Sequence, residues 1–74
     1  MNKTLPLPLF EMPGGCVVDM RYIWAVERIS NEYPGKARFV VHYKNTYDTY
    51  FGEEPWLSLQ RDELIEGWGK VKRD

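Results

Sequence analysis

Covalent catalysis would have to be built from one cysteine, Cys16, and one histidine, His42. A nucleophile needs a general base within reach and a third group to orient that base. Nothing in the spacing of Cys16 and His42 brings them together, and a lone cysteine ordinarily packs as a small apolar residue. One Cys and one His also fall short of a structural zinc site within one chain, and "NTYD" and "GEEP" lack the alternating oxygen ligands of a calcium loop. Carboxylates pair at Glu53–Glu54 and gather at Asp62, Glu63 and Glu66, positions expected on a loop and on a solvated helix face. "PGG" at 13–15 reads as a turn, not a phosphate cradle. The expected activity is binding without catalysis, and no metal or cofactor is expected.

A different chemistry is suggested by "HYKNTYDTYF" at 42–51, which sets aromatic rings among basic and turn-forming residues. Arg38, His42 and Lys44 share one side of the preceding segment, with Lys36 just before it. Phosphate attraction combined with base stacking is how single-stranded nucleic acid is held. The charge balance argues against that use: ten basic residues face eleven acidic ones, for a net charge of −1. Nucleic-acid affinity comes largely from phosphate neutralisation. Protein interfaces enrich Tyr, Trp, Arg and Met and need no net charge, and Tyr33, Tyr47 and Trp56 all lie beside turn residues. The leading expectation is a small regulatory or inhibitory protein that docks on a larger protein partner through these aromatics. Self-association through an edge strand is compatible with it. The alternative is a single-stranded nucleic acid or nucleotide binder using Arg38, His42, Lys44 and Lys36.

The elements that must position these residues follow from proline, glycine and periodicity. Pro6 and Pro8 make 1–14 an extended arm, and Gly14–Gly15 follow Pro13 in a turn. Residues 16–53 read as antiparallel strands, beginning with "CVVDM". The run 22–30 is compatible with helix or strand; its β-branched and aromatic content favours a strand after a turn at Asp19–Tyr22. Pro34–Gly35 fits a type II turn. "ARFVVHYK" at 37–44 sends Ala37, Phe39, Val41 and Tyr43 inward and Arg38, Val40, His42 and Lys44 outward. A hairpin closed at "NTYD" would pair Tyr43 with Tyr50 and His42 with Phe51, leaving Tyr47 at the tip. Residues 58–68 have helical spacing, with Ser58 as N-cap and a stop near Gly67 and Gly69; 69–74 reads as a tail.

These elements add up to a single domain, 1–74, of α+β class: a small antiparallel sheet or open barrel of about four or five strands with one C-terminal helix. That element order resembles SH3-like, Sm-like and split pleckstrin-like modules. In size and style the chain is similar to accessory proteins of bacteriophages and plasmids. A domain this small buries only roughly 60% of its unfolded surface. With a 15% aromatic content, most of Trp24, Phe39, Tyr43, Phe51, Trp56 and Trp68 are therefore expected to be at least partly structural. The start "MNKTLPLPLF" has no long apolar core, and no run of about 18 apolar residues occurs, so neither a secretory leader nor a membrane span is expected. With one cysteine, a reducing, cytoplasmic location follows.

Overall fold

The computed structural model describes residues 5–33 and 36–73. Strands β1 (Leu9–Glu11) and β2 (Val17–Asp19) form an antiparallel hairpin. Pro6 and Pro8 precede β1, where no ladder donor is required. The turn between the strands uses Gly14 and Gly15 at φ of 99° and 93°, a region that glycine alone enters readily. The Asp19 carboxylate then accepts from the Arg21 amide at 3.0 Å and caps one turn of 3-10 helix at Met20–Tyr22.

The main sheet is built around β5 (Lys36–Tyr43). On one side it pairs with β3 (Ile23–Val26) and β4 (Ser30–Tyr33), on the other with β6 (Tyr47–Gly52). β3 and β4 act as one strand interrupted at 27–29. The register passes from Ile23 opposite Tyr43, to Val26 opposite Val41, to Ser30 opposite Arg38 and Tyr33 opposite Lys36. Each step adds a residue to the β3–β4 side, so the edge is bulged and bent. From Ile23 the segment is thus strand, interrupted at 27–29, as its composition predicts, and the turn expected at Asp19–Tyr22 ends in the 3-10 turn Met20–Tyr22. The type II turn expected at Pro34–Gly35 lies outside the described residues.

Helix α1 (Trp56–Arg73) packs on the side of the sheet that carries Ala37, Phe39 and Val41. Leu57 and Leu64 are fully buried there, joined by Met12 and Met20 from the hairpin side and Tyr50 from β6. The fold is α+β: two antiparallel sheets, the larger not closed into a barrel, and a helix across one face.

Two expectations are corrected. The helix begins before Ser58 and continues through the presumed tail. The Glu54 carboxylate accepts from the Ser58 amide at 2.8 Å and from its hydroxyl, so Glu54 serves as the cap and Ser58 donates to it. Gly67 does not stop the helix. A Cβ there would lie 3.2 Å from Met20 Cε, so glycine lets the helix approach the buried methionine. The Glu66–Lys70 pair at 3.5 Å and Lys72 lying 4.3 Å from the Trp68 ring centroid hold the last turns.

The β5–β6 hairpin is also tighter than expected. His42 faces Tyr47, Phe39 faces Tyr50 and Arg38 faces Phe51. The Tyr43 amide donates to the Thr46 carbonyl at 2.7 Å, closing the loop early. His42's partner moves four positions along β6, from Phe51 to Tyr47. Because four is even, every side chain keeps its face.

Candidate functional site

Alternation in β5 points Lys36, Arg38, Val40 and His42 away from the helix, and the register sets Phe51, Thr49 and Tyr47 beside them. On the other edge the bulge between Ile23 and Ala25 changes the alternation. Ile23 is buried and Val26 half-buried, whereas Trp24 and Ala25 are both exposed, with Ala25 opposite His42. The bulge thereby turns Trp24 onto the same side as Tyr47 and Phe51. These three rings are 67%, 63% and 64% exposed.

A ring of this kind offers about 150–250 Å² to a partner. Three of them at two-thirds exposure leave roughly 300–500 Å² of aromatic surface on this face. Of the six aromatics, most of them expected to be at least partly structural, Phe39 is buried and Tyr43 and Trp68 are half-buried, while Trp24, Phe51 and Trp56 are exposed. The core is filled instead by Met12, Met20, Ile23, Leu57 and Leu64.

His42 lies between β3 and β6 at the loop end of the bare face. Its Nε2–H donates to the Glu27 carboxylate at 2.5 Å, and its ring lies 5.9 Å from that of Tyr47. Glu27 is held in turn by its backbone: its amide donates to the Val40 carbonyl at 2.8 Å, and its carbonyl accepts from Arg61 Nε at 2.7 Å. The guanidinium from the helix thus pins the interruption between β3 and β4.

The face turned toward the helix carries a second polar pair. The Tyr43 and Tyr50 hydroxyls bond at 2.8 Å. Burial pushes both phenols above their ordinary ionisation range, and the bond to Tyr50 raises Tyr43 further. Cys16 is exposed. His42 points to the other side of β5, so the structure does not bring Cys16 and His42 together.

The expected interface residues are separated. Tyr47 is the first residue of β6, not a tip residue, and belongs to the bare face. Trp56 opens the helix on the opposite side, where its ring would lie 2.9 Å from a Cβ on Gly52. Tyr33 ends β4, and its side chain lies outside the described residues. Of the basic candidates, Lys36, Arg38 and His42 share the bare face, and Lys44 is exposed in the adjoining loop. Trp24 is the residue sequence reasoning missed. A two-residue period could not place it, because the bulge beside it resets the alternation. Among the described residues no group of three or more His, Cys, Asp or Glu is arranged to hold a metal ion. No described helix is long and apolar enough to cross a membrane. The chain matches no known protein-family model, no curated protein and no solved structure.

Proposed function

We propose that this chain is a binding module that docks on a larger protein partner through the bare face of its sheet and regulates or inhibits that partner by occupancy alone. One observation carries the reading: Trp24, Tyr47 and Phe51 stand about two-thirds exposed on one side of a braced sheet. Tyr and Trp are the commonest energetic anchors of protein interfaces, because they bury large area with few rotatable bonds. His42, fixed by Glu27 and lying against Tyr47, pre-orders the loop end of the surface and lowers the entropy cost of docking. Affinity capture of a stoichiometric protein partner tests the reading. Tyr47→Ala should weaken capture by roughly 30-fold or more, the loss expected at an interface anchor, with folding intact. Undiminished capture by that variant would refute it.

A second reading, single-stranded nucleic acid binding, is favoured by one specific observation: Lys36, Arg38 and His42 lie on the same face as the rings. Stacking platforms flanked by cations hold single strands without sequence preference. Salt-sensitive oligonucleotide binding that is lost on Arg38→Glu and Lys44→Glu would establish this reading in place of protein docking.

A further inference from the structure

The opposite side of the molecule has a concavity of about 740 Å³ between the helix and the β1–β2 hairpin with the residues leading into it. Its size falls within the usual range of ligand clefts, about 300–1,000 Å³. The floor contains Met12 and Met20, both buried, unbranched side chains that adapt to different occupants. Gly67 keeps that floor open, since a Cβ there would press on Met20. Leu7, Leu9 and Trp56 form apolar walls that remain 51%, 37% and 47% exposed.

The rim is acidic. Glu11 comes from the hairpin and Glu63 and Glu66 from the helix, against one cation, Lys70. Lys70 is engaged by Glu66 at 3.5 Å. Among the described residues no cation pairs with Glu11 or Glu63. Glu11 and Glu63 thus line a groove of mixed apolar and polar surface with no cation paired to either among the described residues. Such an arrangement attracts positive groups and penalises acidic ones.

We propose that this groove takes a cationic peptide segment: one large aliphatic or aromatic side chain seats over Met12 and Met20, and flanking Lys or Arg side chains reach Glu11 and Glu63. The site is distinct from the sheet face and does not depend on the function proposed for that face.

The test is selection of a displayed random-peptide library against the full chain, followed by titration of one enriched synthetic peptide. The proposal expects enriched sequences with Lys or Arg flanking Leu, Ile, Met or Phe. It expects affinity to fall at least tenfold in a Glu11→Lys/Glu63→Lys variant and to stay unchanged in Trp24→Ala. Both glutamates are exposed, so the variant should fold, which circular dichroism verifies. Enrichment of neutral or acidic peptides, or no enrichment, would overturn the proposal. So would a peptide that ignores the charge reversal or is lost in Trp24→Ala, since it would then sit on the sheet face. Concentration-dependent self-association abolished by the charge reversal would overturn it in favour of a second copy of the chain as occupant.

Discussion

His42 and Tyr47 face each other across β5 and β6 with their ring centroids 5.9 Å apart and tilted by 41°, on the side of the sheet away from the helix. Glu27 holds His42 from the interruption between β3 and β4. The three residues form a row across the sheet that supports the Tyr47 ring without covering it. Support without burial separates the rings that stabilise this fold from those available to a partner.

That separation is measurable by urea denaturation. Tyr47→Ala and Trp24→Ala should each lower stability by less than about 1 kcal/mol, the usual range for exposed positions. Phe39→Ala removes a ring that is 1% exposed and should cost about 3–5 kcal/mol. Equal losses at positions 24 and 39 would place Trp24 in the core and remove it from the docking face.

Two glycines predict opposite signs. Gly52→Ala would set a Cβ 2.9 Å from the Trp56 ring and 3.2 Å from Leu57, so the turn into the helix must shift and the protein should lose roughly 1–3 kcal/mol. Gly69 lies inside the helix with nothing within 4 Å of such a Cβ. Gly69→Ala should therefore stabilise by about 0.5–1 kcal/mol through helix propensity. Thermal melts of the two variants check both signs.

Arg61 links the helix to the interruption between β3 and β4 through the Glu27 carbonyl. Arg61→Ala should cost about 1–2 kcal/mol, as expected for a charged donor to a backbone acceptor. The same change should accelerate amide exchange at Glu27 and Arg28 more than at Phe39 or Val41. Uniform acceleration across the sheet would mean that Arg61 contributes only to global stability.

Alkaline pH should loosen the fold. In the folded state Tyr43 and Tyr50 ionise above their ordinary value of 10.0, chiefly because they are buried. Their protonated forms are favoured by folding, so the stabilisation is fully present below about pH 10 and declines as pH rises beyond it. The urea midpoint should fall as pH rises past about 10, and a Tyr43→Phe/Tyr50→Phe variant should flatten that decline. An unchanged slope in the double variant would assign the alkaline loss to other groups.

The fold was legible where periodicity and local chemistry agreed. Alternation in 37–44 identified the inward set, the "PGG" turn required its glycines, and Asp19 marked a turn. Side-chain parity across β5–β6 survived an incorrect register because the slip was an even number of residues. The helix end was obscured because Gly67 serves tertiary packing against Met20, which no local pattern records. Glu54 took the capping role expected of Ser58: its carboxylate accepts from the Ser58 amide, a bond between residues four apart that no single-residue capping preference records. Tyr47 was legible as a ring with no place in the core. Trp24 was not, since its direction depends on a bulge against a strand more than fifteen residues away.

The most direct test of the docking face places a photo-crosslinking amino acid at Thr49, between Tyr47 and Phe51 on the bare face. A control position is Leu59, exposed on the helix. Irradiation in the presence of the captured protein partner should give a covalent adduct from position 49 and none from position 59. An adduct from position 59 with none from position 49 would contradict the account and move the interface to the helix.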